Sequence, residues 1–163
     1  MNLKIKLSIS LLLVFMGATA QHVSGVYKLS DLLKRIHNNS DTVYVVNFWA
    51  TWCKPCVQEL PEFEDFSKSH AGNKVKVILV CLDFEEDLEK KVNPFLKKHQ
   101  YQTECVLLDE VDGNAYINAI SKQWSGAIPA TLVTYKNQNQ QRFAERKLNA
   151  EGILKMVEEV RMK

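Results

Sequence analysis

Residues 43–61 constrain this chain more than any other stretch. Val43 to Trp49 is an almost continuous apolar run, too short for a typical helix and rich in β-branched and aromatic residues. That is the pattern of a strand buried on both faces. The run leads through Ala50-Thr51-Trp52 into Cys53-Lys54-Pro55-Cys56, with Pro55 where a helix could start. Beyond it Leu60, Phe63 and Phe66 recur every three residues, which is helical spacing. A buried strand therefore delivers two cysteines to the first turn of a helix. The first N–H groups of a helix lack internal partners and its N-terminal dipole is positive. A thiolate at Cys53 is stabilised there, so its pKa is expected to fall. Cys56 lies one turn deeper, close enough to close a small disulfide.

The rest of the chain reads as one domain around that unit. Leu32, Leu33 and Ile36 mark a short helix with Ser30 as its expected cap. The helix after Cys53 is expected to run to about Ser69, kinked at Pro61, which removes one backbone hydrogen bond. Val75 to Leu82 is a second apolar strand, and a strand–helix–strand unit of this kind pairs its strands in parallel. Leu88, Val92, Phe95, Leu96 and His99 follow helical spacing, interrupted at Asn93-Pro94. Cys105 to Leu108 is a short strand, and Tyr116, Ile117 and Ile120 indicate a helix. Ala130 to Tyr135 and Gln141 to Lys147 form a hairpin across the polar turn Asn137-Gln138-Asn139-Gln140. Asn149 caps a last helix with Ile153, Met156, Val157 and Val160 inward. The expected fold is α/β: a mixed central sheet with helices on both faces, and an insertion of about 45 residues between the βαβ and ββα halves.

Met1 to Ala20 reads as a secretory signal. Lys4 and Lys6 precede an uncharged stretch from Leu7 to Ala20, and Ala18-Thr19-Ala20 fits the small-x-small cleavage rule. At 14 residues that stretch is short of the ~20 needed to span a bilayer. The expected domains are thus residues 1–20, the signal peptide, and residues 21–163, which are soluble after cleavage and work outside the cytoplasm. An uncleaved membrane anchor is the alternative. Lys4 and Lys6 are the only charges in the leader, so the remaining 19 basic residues balance 19 acidic ones. A neutral chain gives no reason to expect nucleic acid or a membrane surface as partner.

Phe48-Trp49-Ala50-Thr51-Trp52-Cys53-Lys54-Pro55-Cys56, with Ile128-Pro129-Ala130-Thr131 far downstream, resembles the thioredoxin superfamily. The run from Val46 through Cys56 to Glu59-Leu60-Pro61 resembles its secreted TlpA/ResA-type thiol-disulfide oxidoreductases. The resemblance implies that Cys53 is the exposed nucleophile, Cys56 the resolving cysteine and Cys53–Cys56 the redox disulfide. It implies that Pro129 is a cis-proline, with Ile128 beside it pairing the backbone of a substrate segment. Trp52 is expected to be exposed beside Cys53 and to contact substrate, and Trp49 to be half core. Glu59 matches an acidic residue that affects protonation of the pair. Cytoplasmic thioredoxins carry a buried Asp where this chain has Asn47, so the proton acceptor for Cys56 falls to Glu59.

The implied activity is protein disulfide reduction outside the cytoplasm, for example in the periplasm on apocytochrome c, with a membrane-bound electron donor and no cofactor. The alternatives are an oxidant or isomerase of secreted proteins and a non-catalytic binding or holdase module using the same groove. A peroxidase reading is disfavoured by a resolving cysteine only three residues away. A zinc site needs four ligands, and Cys81 and Cys105 are isolated with no His nearby, so no metal is expected. Cys81 and Cys105 read as buried free thiols in preference to a disulfide, whose Cα atoms would have to lie within ~7 Å. Trp124 reads as loop packing, and His22, His37, His70 and His99 as surface or helix-end residues.

Overall fold

A computed structural model describes residues 22–38, 40–110, 112–135 and 139–162. The expected signal segment lies outside the described residues, as do Asn137 and Gln138 of the expected turn. Among the described residues six strands and five α-helices follow in order: β1 (Val26–Tyr27), α1 (Leu29–Ile36), β2 (Val43–Trp49), α2 (Lys54–Ser69), β3 (Val75–Cys81), α3 (Asn93–His99), β4 (Glu104–Leu108), α4 (Gly113–Ile120), β5 (Ala130–Tyr135), β6 (Gln140–Ala144) and α5 (Ala150–Arg161). The strands form one sheet in the order β1-β4-β3-β2-β5-β6. β1, β4, β3 and β2 run parallel, while β5 and β6 are antiparallel to their neighbours.

Alternation along the central strands divides the core into two layers. Val43, Val45 and Trp49 face the side covered by α2, α3 and α5, where Leu60, Phe63, Val92, Leu96, Ile153 and Val157 pack. Tyr44, Val46 and Phe48 face α1 and α4, against Leu32, Ile36, Ile120 and Trp124. Asn47 shares the first face and is fully buried there. α2 continues past Pro61 without ending, and Pro61 is on its exposed side. Burying Leu60, Phe63 and Phe66 contributes ~1.5–3 kcal/mol each, which outweighs the ~3 kcal/mol cost of the proline.

Several local expectations change. Ser30 lies inside α1, and the helix starts at Lys28 with no side-chain cap. Its Leu29 N–H donates instead to the Glu110 carboxylate at 2.9 Å, a tertiary substitute for a cap. The last strand is Gln140–Ala144, not Gln141–Lys147. Residues 145–149 leave the sheet because Leu148 N–H donates to Glu59, 89 positions away in sequence. β1 pairs only two residues with β4 and carries no sequence signal of its own. The interruption at Asn93-Pro94 is where expected: a 3₁₀ turn (Glu85–Asp87) and a π turn (Leu88–Val92) lead up to it, and α3 starts there as a separate helical piece. The segment between β3 and β5 covers residues 82–129, close to the expected insertion.

Candidate functional site

β2 ends at Trp49, and the chain turns over Ala50–Trp52 into α2. The Cys53 N–H donates to the Ala50 carbonyl at 3.1 Å, closing the turn. Cys53 is the N-cap of α2, in an extended conformation, and its Sγ accepts the Cys56 N–H at 3.3 Å. One of the helix's orphan donors therefore points at the sulfur, the arrangement that lowers a thiol pKa when the sulfur carries charge. Cys53 and Cys56 are joined as a disulfide, with Cα atoms 5.3 Å apart. Cys53 keeps a small exposed surface, whereas Cys56 has none.

Pro129 reaches the pair from the loop before β5. Its bond to Ile128 is cis, Pro129 is buried, and the Ile128 carbonyl oxygen lies 3.7 Å from Cys53 Sγ. Trp52 stands out at 67% exposure, while Trp49 is wholly buried rather than half core. Trp49 packs its ring 5.4 Å from Phe95, so the insertion covers it. Trp124 is loop packing, as the sequence indicates: it contacts Phe48, Tyr116 and Phe143, and its Nε1–H donates to the Ala127 carbonyl.

Glu59 is fully buried one turn after Cys56. One carboxylate oxygen accepts Asn47 Nδ2–H at 2.7 Å and the other accepts Leu148 N–H at 2.7 Å. Asn47 also donates to Thr131 Oγ1 at 3.2 Å, and its Oδ1 has no partner. Burial pushes the Glu59 carboxyl up to about 7, against the pull of those two donors and the charge of Lys147. Loss of hydration costs the anion more than two hydrogen bonds return, so Glu59 is poised to exchange a proton near neutrality.

Sequence reasoning misses Asp83. Its buried carboxylate accepts the Thr51 N–H at 2.7 Å and the Thr51 Oγ1–H at 2.5 Å, fixing the residue two before Cys53. The Cys81 thiol donates to the same carboxylate at 3.1 Å. In sequence Asp83 is one acid after an apolar strand, and no spacing ties it to Thr51. Cys81 and Cys105 are buried free thiols on neighbouring strands. Burial raises both, Cys105 to about 12, so both stay protonated and unreactive at neutral pH. Among the described residues no group of three or more His, Cys, Asp or Glu side chains is arranged to hold a metal ion.

A dithiol pair on a helix N-cap, opposed by a cis-proline loop and backed by a buried carboxylic acid, sits on a thioredoxin-type sheet. The fold and site define a thioredoxin-fold protein with a Cys-x-x-Cys centre. The chain belongs to the AhpC/TSA family, whose pattern matches residues 17–150. It is 40% identical over 77 residues to the thioredoxin-like protein YneN of Bacillus subtilis, a match covering 47% of this chain and 44% of YneN. It therefore spans less than half of that relative. Over 151 residues it is 24% identical to the thiol-disulfide oxidoreductase ResA of Geobacillus thermodenitrificans, covering 91% of this chain and 79% of ResA. Among solved structures, a thioredoxin-related protein of Neisseria meningitidis superposes with a TM-score of 0.66 at 21% identity, covering 76% of this chain and 88% of that one. The expected α/β fold and the resemblance to thiol-disulfide oxidoreductases thus hold.

Proposed function

We propose that this chain is a thiol-disulfide oxidoreductase that reduces disulfides of proteins outside the cytoplasm. The observation that carries the reading is Cys53 at the N-cap of α2, with its sulfur held between the Cys56 N–H and the Ile128 carbonyl. In the reduced protein the Cys53 thiolate attacks a substrate sulfur and forms a mixed disulfide, expelling the other substrate sulfur as a thiolate that takes up a proton. Cys56 loses its proton and attacks Cys53 Sγ. The second substrate thiol leaves, and the Cys53–Cys56 disulfide closes. Two electrons pass from the enzyme to the substrate. Glu59 is the proton acceptor for Cys56, acting from the next turn of α2, and Ile128 and Trp52 hold the substrate segment.

A dithiol donor, membrane-bound in this reading, returns the two electrons. The signal-like pattern of residues 1–20 and the likeness to a thiol-disulfide oxidoreductase support an extracytoplasmic, periplasmic site of action, and the family resemblance of the motif implies apocytochrome c as a substrate. The test is the reduction potential of residues 21–163 in thiol buffers. A value near about −270 mV fits a reductant, and one near about −120 mV makes the protein an oxidant and overturns the direction. Absence of a reversible two-electron couple leaves only the binding-module reading, which Cys53→Ser would leave intact.

A further inference from the structure

Trp52 and Phe84 are the two strongly exposed aromatic side chains among the described residues, at 67% and 68%. They are 32 positions apart, yet each directly follows one half of the Thr51–Asp83 hydrogen-bond clamp. β2 and β3 are paired at Trp49 and Cys81, and the Leu82 N–H donates to the Trp49 carbonyl at 2.8 Å. The clamp therefore places Trp52 and Phe84 at the same rim of the sheet, with Trp52 directly before Cys53 in the chain.

The rim beyond Phe84 is acidic. Glu85, Glu86 and Asp87 follow it directly, and a small groove of about 60 Å³ beside it is lined by Glu85, Asp109, Glu110 and Tyr116. Lys28 pairs with Asp109 and Lys91 with Asp87. Among the described residues, Glu85, Glu86 and Glu110 take part in no ion pair, although Lys28 lies within electrostatic reach of Glu85 and Glu110. On the β5–β6 side a groove is lined by Arg146 and Lys147 together with Gln58 and Glu62, so cations outnumber acids there.

Resting on the reductase reading, we propose that Phe84 and the Glu85–Glu86 acids select the substrate: an extended polypeptide disulfide with an Arg or Lys a few residues from the reacting cysteine. The cationic side chain lies across the Phe84 or Tyr116 face and ends among the carboxylates, while the cysteine reaches Cys53 past Trp52. An aromatic face and a carboxylate together favour a guanidinium over any neutral or acidic side chain.

The test uses the reduced protein and two disulfide-linked reporter peptides of one sequence, differing only in Arg or Glu three residues from the cysteine. Each rate is divided by the rate with dithiothreitol, which removes intrinsic reactivity. The Arg peptide is expected to have a kcat/KM about 10-fold higher at low salt, through KM, and the gap is expected to shrink in high salt. Glu85→Gln/Glu86→Gln lowers that preference to about 2-fold, and Phe84→Ala raises KM for the Arg peptide more than for the Glu peptide. These side chains are exposed, so the substitutions leave the core untouched. Equal turnover of both peptides by the unaltered protein, or a preference indifferent to both variants, overturns this docking proposal alone. No turnover of either peptide overturns the reductase reading and this one together.

Discussion

Cys53 and Cys56 differ in ways that separate their roles. Cys53 is reachable and has a helix N–H directed at its sulfur, while Cys56 is sealed inside. Replacing Cys53 with Ser is expected to abolish disulfide reduction. Replacing Cys56 with Ser is expected to leave attack intact and release blocked, so that mixed disulfides accumulate and are seen by intact-mass spectrometry. Glu59 offers a second test. Its carboxyl is raised to about 7, mainly by burial, and the rate of enzyme reoxidation is expected to change across that pH. Glu59→Gln keeps the shape, loses the titration and is expected to flatten that step and slow turnover by about 10- to 100-fold. A profile identical to that of the unaltered protein counts against Glu59 as the proton acceptor.

At the scale of elements, α2 is held at three levels. Cys53 caps its start, and Leu60, Phe63 and Phe66 bury its middle. Glu64 on the same helix accepts the Gln102 and Thr103 N–H groups at 2.9 Å each, tying the loop before β4 to α2. α5 depends more on its cap, since the Asn149 side chain accepts the Gly152 N–H at 2.9 Å. Asn149→Ala is expected to cost about 1 kcal/mol, read as a lower urea midpoint with unchanged slope. Both α2 and α5 are legible from spacing and composition, because their caps and apolar stripes are local. The α1 cap is not, since its partner Glu110 lies three strands further along the chain. β1 is illegible for the same reason: two residues gain strand geometry only because β4 offers an edge.

For the whole molecule, Glu59 links folding to pH. An exposed glutamate in the unfolded chain titrates near 4.5, and the folded chain holds its proton up to about 7. Between these values the folded state binds more protons, so this contribution is complete below about pH 4.5 and lost as pH rises through about 7. The oxidised protein is expected to lose ~3 kcal/mol across that window from this group, and Glu59→Gln is expected to lose markedly less. Urea unfolding at a series of pH values measures both. Glu64 works in the opposite direction: backbone and Lys68 donors hold it below the ordinary value, so its contribution is lost only in more acid solution. Across the sheet, Ile78→Ala removes a fully buried side chain from the face toward α1 and α4 and is expected to cost about 2–5 kcal/mol.

The sequence by itself determined the βαβ start, the hairpin-and-helix end and the position of the cysteine pair, because each depends on periodicity, a proline or a cap within a few residues. It also put Glu59 in α2, one turn after Cys56. Tertiary structure alone decided what those groups meet. Glu59 is raised because the closed core strips the carboxylate of water, and the donors that converge on it, Asn47 and Leu148, only partly offset that cost. Trp49 is fully covered because Phe95 of the insertion folds over it. Asp83 steadies Thr51 because β2 and β3 lie side by side. Burial and convergence are properties of the packed chain, and residues 32 or 89 positions apart carry no mark of their meeting until the sheet brings them together.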